Sequence, residues 1–270
     1  MSAKKELWIY TLVLLVITNV IWYAGFSIFL KDEGNVSAVL LLGLGSFMPA
    51  IIAVIMCKIN KLKLRTLLIN PHIKKSWKVY LTAIAVSLLI VYSTDLLPLL
   101  FFPKDVMIAS ENLTLIFFGR IILFTVLSTV SSIELLGEEL GWMGYLFPRL
   151  EKEYGTYLSI PMIALIRTLW HLVYIIKIDG TLFGVCYLFL SNLSLQSVLV
   201  YVTKKSDSVF PAAVVHAVTN IMFGLSFVTY TEEFYKSNRI KFDMVGLIPL
   251  IIIGAVFFTL LCRHLRRCSD

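Results

Sequence analysis

Polar positions along this chain gather into short clusters between long apolar runs, and the runs themselves, not an alternation or a single helical stripe, set the pattern. Seven stretches stay apolar for close to twenty residues, near 8–30, 37–57, 79–102, 158–176, 182–203, 209–230 and 244–262. As helices rising ~1.5 Å per residue, each is long enough to cross ~30 Å of hydrocarbon. An eighth segment, 113–147, begins apolar and then carries Glu134, Glu138 and Glu139. It is longer than a span and polar at one end, which makes it the first place to look for chemistry. The expected fold is all-α, a single transmembrane domain over 1–270 with about eight transmembrane helices. The first run predicts a retained helix, because it exceeds twenty residues and no small-x-small cleavage site precedes the next polar loop.

Composition agrees: 59% of the 270 residues are hydrophobic and 15% charged. A soluble domain of that size would expose large apolar patches, so the chain belongs in a bilayer, expected to be the cell membrane. Eight helices put the N-terminus, the 58–78, 148–157 and 204–208 loops and the C-terminus on one face. That face holds sixteen Lys and Arg, seven of them between Lys58 and Lys78, against six on the other, with Arg120 and Arg167 inside spans. Basic residues accumulate on the cytoplasmic side, so both termini are expected there. The net charge of +7 then follows from insertion and calls for no nucleic-acid partner. The 58–78 loop suits anionic headgroups. Cys57, Cys186, Cys262 and Cys268 show no C-x-x-C spacing, so free thiols are expected, and Cys268, third from the end, makes no prenylation box.

Ionisable groups at membrane depth cost several kcal/mol unless paired or solvated. Here they form three clusters: Gly137-Glu138-Glu139-Leu140-Gly141-Trp142-Met143-Gly144-Tyr145-Leu146, then Arg167-Thr168-Leu169-Trp170-His171, then His216-Ala217-Val218-Thr219-Asn220. Spacings of four put Arg167 with His171, and His216 with Asn220, on common helix faces. Taking Pro148, Pro161 and Pro211 as helix ends, Glu138, His171, His216 and Asn220 fall at depths of roughly 8 to 15 Å from one side. Such side chains support peptide hydrolysis by an activated water. Glu138, desolvated beside Glu139, suits a general base, and His171 suits a group that orients the water. His216 and Asn220 suit donors to a tetrahedral oxyanion. A plainer reading also stands for His216 and Asn220, as bonds between neighbouring helices. Glu134 fits a second pocket carboxylate, a partner for Arg120 or a wet cleft.

In order and spacing these clusters resemble the CPBP intramembrane proteases, also called the CAAX prenyl endopeptidase or Abi family. Its hallmarks are E-E-x-x-x-R, an aromatic residue four before a His, and H-x-x-x-N; Glu138 and Glu139, His171, and His216 with Asn220 match them in turn. The likeness covers about 85 residues from Glu138 to Asn220, within a catalytic core of about 113–230. It implies glutamate-dependent proteolysis with the four roles above, no cofactor and no metal, and a membrane-associated peptide or protein, or a prenylated C-terminus, as substrate. Two residues depart from the pattern, since Met143 replaces the motif arginine and Arg167 replaces the motif aromatic. Arg167 is expected to reach across and pair with Glu139 while Met143 fills part of the vacated volume; the competing reading is a side chain that snorkels to headgroups.

Three rivals remain. One Glu with two His is a plausible zinc set, although no H-E-x-x-H occurs and Asn220 suits an oxyanion donor better than a ligand. A catalytically silent member would serve as an immunity or scaffold protein. A proton transporter would show repeated halves or matching broken helices, and neither is visible.

The sixteen-to-six distribution yields the first prediction. A cysteine placed at Asn70 is expected to react with membrane-impermeant reagents only from the cytoplasmic side. Labelling from outside would overturn the orientation and the depth count with it.

Overall fold

The computed structural model describes residues 3–269, less the side chains of residues 3, 111, 112, 133, 134, 268 and 269. The expectation for Glu134 therefore lies outside the described residues. Helices dominate, at 84% of the chain. They are α1 (Ala3–Phe29), α2 (Val36–Ile59), α3 (Ile73–Leu96), α4 (Pro98–Phe101), α5 (Leu115–Glu139), α6 (Phe147–Trp170), α7 (Leu172–Ile178), α8 (Leu182–Ser206), α9 (Phe210–Met222) and α10 (Glu232–Ser269). Two residues each of β1 (Met107–Ile108) and β2 (Val228–Thr229) pair antiparallel, Met107 against Thr229.

Among the described residues six helices are long and apolar enough to cross a membrane, or up to seven if the bent pair Leu135–Trp170 with Leu172–Ile178 counts as one span. The fold is all-α and polytopic. Where eight spans were expected, the difference arises at two places. The expected 209–230 span stops at Met222, because the chain turns at Gly224 and Leu225 and Asp95 then takes the Phe227 N–H at 2.7 Å and the Ser226 hydroxyl at 2.5 Å. The expected fourth and fifth helices are not separated by a loop from 148 to 157. Pro148 stands at the start of α6 and Pro161 lies inside it, so neither proline marks a helix end as expected.

The reversal between those helices falls at the single residue Gly155, within the expected 148–157 connection. Trp142 and Trp170, 28 residues apart, would be separated by ~42 Å along one straight helix, yet their rings lie 5.5 Å apart. The chain must fold back between them. Gly155, with φ +77 and ψ 162, is the non-helical residue within α6, in a region that only glycine enters without strain. Glu138 and His171 lie 17 and 16 residues on either side of it, so the two arms carry them to the same level.

Two compact units share the chain. The first takes the residues up to Pro71, Leu136–Gln196 and Asp207–Phe210; the second takes His72–Leu135, Ser197–Ser206 and the chain from Pro211 onward. In the first, α1 packs against α2, α6 and α7. It buries Leu7, Tyr10, Leu14, Trp22 and Phe26 at helical spacing while Leu12, Val16, Val20 and Tyr23 face outward. An apolar outer face is what a helix in lipid requires. In the second, α10 packs against α3 and α4, and Ser87 of α3 donates to the Val215 carbonyl of α9 at 3.2 Å.

Gly155 and Gly119 separate conformation from space, since a Cβ on either meets nothing within 4 Å. Gly155→Ala should lower unfolding free energy in detergent by about 1–3 kcal/mol through its positive φ. Gly119→Ala, within helical α5, should be neutral or slightly stabilising. Equal effects would show that Gly155 is not the strained reversal.

Candidate active site

The first carboxylate cluster is seated by the backbone before any charge is considered. α5 ends at Glu139, and the next seven residues, Leu140–Leu146, form a π-turn stretch in which the Phe147 N–H bonds the Trp142 carbonyl, five residues back. Such widened turns are rare and are found often at functional sites. The stretch lies tight on its neighbours because two of its residues are glycine. A Cβ on Gly141 would stand 2.3 Å from the Pro49 Cβ, and one on Gly144 would stand 2.6 Å from the Leu67 carbonyl oxygen. Neither backbone could yield, so the glycines permit the approach and fix Glu138 and Glu139 just ahead of it.

Arg167 enters from the returning arm of α6. Its Nη1 donates to Glu139 Oε1 at 3.2 Å, and its Nη2 lies 3.7 Å from Glu138 Oε2. All three side chains are buried: Arg167 is 2% exposed, Glu139 0% and Glu138 7%. Isolated in a low-dielectric interior each charge would be prohibitive, and one guanidinium between two carboxylates offsets most of that cost. The guanidinium also lies 5.6 Å over the Trp142 ring, a further stabilising contact for a desolvated cation. Arg167 thus turns inward to the acids and does not snorkel. Any cation arriving at this pair of acids meets Arg167 already there.

Position 143 shows what replaces the missing arginine. Met143 is fully buried, and Gln196 of α8 directs its Nε2 to the thioether sulfur at 3.1 Å. The Gln196 Oε1 is buried without a hydrogen-bond partner among the described residues. An acceptor therefore waits beside residue 143 for a donor that methionine cannot provide.

His171 occupies the break between α6 and α7, which are bent by 51°. Its ring Nδ1 lies 2.8 Å from the Arg167 carbonyl oxygen, so Nδ1 carries the proton and Nε2 is the ring's acceptor in the neutral form. Arg167 thereby joins the three residues, its guanidinium to the acids and its carbonyl to the imidazole. Trp170 and Trp22 wall the ring at 4.5 and 5.5 Å. His171 also lines a cavity of about 550 Å³ with Trp22, Phe26, Leu42, Ser46 and Tyr174.

The first unit therefore brings together Glu138, Glu139, Arg167 and His171. His216 and Asn220 belong to the second unit, one turn apart on α9, His216 buried and Asn220 exposed. A search for ionisable residues passes over two polar contributors, Gln196 and Asn19, the latter bridging both sides of the break at His171. The available signal was an uncharged amide inside an otherwise apolar run.

Residues 118–222 match the family described as type II CAAX prenyl endopeptidase Rce1-like. That stretch contains all three clusters. The match spans 105 of the 270 residues and supports a CAAX-type protease family. No curated protein matches the chain. Set beside that family match, the pairing geometry bears directly on the two departures, because the cation comes from the arm that carries His171 and not from the turn after Glu139.

A double-mutant cycle tests that exchange. Arg167→Trp alone leaves two buried acids without their cation and should destabilise the protein by about 3–5 kcal/mol. Adding Met143→Arg, whose guanidinium finds Gln196 Oε1, should restore most of it. A harmless Arg167→Trp, or no recovery in the double variant, would show that the two positions do not exchange one function.

Proposed function

We propose that the protein is a glutamate-dependent intramembrane endopeptidase of the cell membrane, hydrolysing membrane-associated peptides or proteins with an activated water. The observation that carries this reading is the asymmetric sharing of one guanidinium between two buried carboxylates. Glu139, fully buried, takes the closer contact at 3.2 Å; Glu138, at 3.7 Å, keeps some exposed surface. Glu138 is thus the acid more loosely held and more open to water, which suits it as general base. It takes a proton from water as the oxygen attacks the scissile carbonyl, and it returns that proton to the leaving amine. His171, with Nε2 as acceptor, orients the same water. By residue type and i, i+4 spacing, His216 and Asn220 are the donors to the oxyanion, each worth a few kcal/mol in the transition state. The CAAX prenyl endopeptidase family supplies the first substrate to try, a prenylated C-terminal peptide.

A fluorogenic peptide ending in a farnesylated CAAX sequence, presented to the protein in proteoliposomes, tests this reading. Glu138→Gln should lower the rate at least about 10²-fold and His216→Ala about 10²- to 10³-fold, with insertion unchanged. Combining the two should be hardly worse than either, as for groups that act as one unit. Full activity in Glu138→Gln would exclude the glutamate base. Loss on chelation with recovery on added zinc would establish the metal alternative, and an inert wild type whose membrane proteome is unchanged by Glu138→Gln would leave a silent immunity or scaffold protein.

A further inference from the structure

The break at His171 creates a backbone problem that its own helices do not solve. The first N–H groups of α7 have no partner one turn earlier, since the bend has removed the preceding carbonyls. His171 stands at the N-cap position of α7, but its side chain makes no capping bond there; its Nδ1 is engaged with the Arg167 carbonyl instead. The cap comes from another helix. Asn19, on α1, accepts the Val173 N–H at its Oδ1 over 3.1 Å. Its Nδ2 donates at 3.3 Å to the Leu169 carbonyl on the other side of the break, and at 2.8 Å to Leu15 of its own helix. One amide therefore holds both edges of the bend that surrounds His171.

Trp22, three residues along the same helix, completes the fixture. Its ring contacts Trp170 at 4.4 Å and His171 at 5.5 Å. The indole N–H is held by the Leu42 carbonyl at 3.0 Å, and a Cβ on Gly45 would come within 2.0 Å of that nitrogen. With α2 pressed behind it, Trp22 cannot retreat from the imidazole.

We propose that Asn19 is a positioning residue for His171: by capping the helix break in trans, it fixes the imidazole with Nδ1–H on the Arg167 carbonyl and Nε2 as acceptor. This rests on the reading that His171 serves hydrolysis. The apolar bulk of α1 could be supplied by Leu, Val or Ile at position 19, whereas the paired donor and acceptor of an amide match a carbonyl before the break and an N–H after it.

The test uses the full-length protein labelled with ¹⁵N-histidine in nanodiscs, His171 being assigned by the signal lost in His171→Gln. Wild type should show His171 as the Nδ1–H tautomer. Asn19→Leu, close in size but unable to bond, should give a tautomer mixture, and in the farnesylated-peptide assay it should lower kcat about ten- to hundredfold with KM within about twofold. Asn19→Asp keeps the acceptor for Val173 and should recover most of the Nδ1–H signal and of kcat; should Asn19→Leu fail to insert, Asn19→Asp against Asn19→Ala carries the same comparison. An unchanged tautomer in the non-bonding variants, or an Asp variant no better than Leu or Ala, overturns the proposal. The spectroscopic result needs no turnover, so an inert wild type whose membrane proteome is unchanged by Glu138→Gln would refute the hydrolytic reading and leave the positioning of His171 decided by the tautomer alone.

Discussion

One guanidinium set between two adjacent buried carboxylates is the constraint that the rest of the first unit satisfies. A buried acid without a cation costs several kcal/mol, and two side by side resist joint ionisation. Arg167 must therefore be delivered to Glu139 within hydrogen-bonding distance, and the delivery is a backbone matter. The arm that carries it has to return antiparallel to the one that carries the acids, which is what the reversal at Gly155 accomplishes. The acids themselves must be held in a fixed attitude, which the π-turn stretch and its close-packed glycines provide.

Because Arg167 also offers its carbonyl to His171, the electrostatic pairing and the imidazole geometry are mechanically linked. Displacing the guanidinium displaces the turn on which the imidazole proton rests. Burial strengthens the link: with Trp142, Trp170 and Trp22 packed ring against ring, little room exists for α6 to slide. The chain thus achieves with aromatic packing and one trans-capping amide what a soluble enzyme would achieve with a more extended polar shell.

The membrane character, the runs of about twenty apolar residues and the three polar clusters were legible in the sequence because each rests on local composition. The pairing of Arg167 with Glu139 was legible for a physical reason, namely that two buried acids demand a cation and position 143 does not supply one. Helix ends were less legible. Pro148 was read as following one helix and Pro161 as opening the next, yet a proline in the first turn of a helix loses no bond, and one further in is tolerated where neighbours compensate. The early end of α9 depends on Asp95, 131 residues from Ser226, and no local pattern announces such a partner. Asn19 escaped notice for a similar reason. Its value lies in two backbone groups 150 and 154 residues away, and an uncharged amide in an apolar run is not conspicuous when charge is the search criterion.

The exchange of the arginine between helices bears on whether the site is active. A relative that had kept only the scaffold would be under no physical need to retain two carboxylates and a guanidinium in its interior. Replacing a buried ion cluster by well-packed apolar residues is commonly neutral or stabilising. Here methionine already occupies the position of one charged residue, at no evident cost to packing, since Met143 is fully buried. Yet the second acid has not been discarded with it, and a cation is supplied from elsewhere. A core that needed only to pack would be simplified by losing either acid. Under the proposed hydrolysis the second acid has a use, because Glu139 takes the closer contact with the guanidinium and Glu138 remains to accept a proton from water.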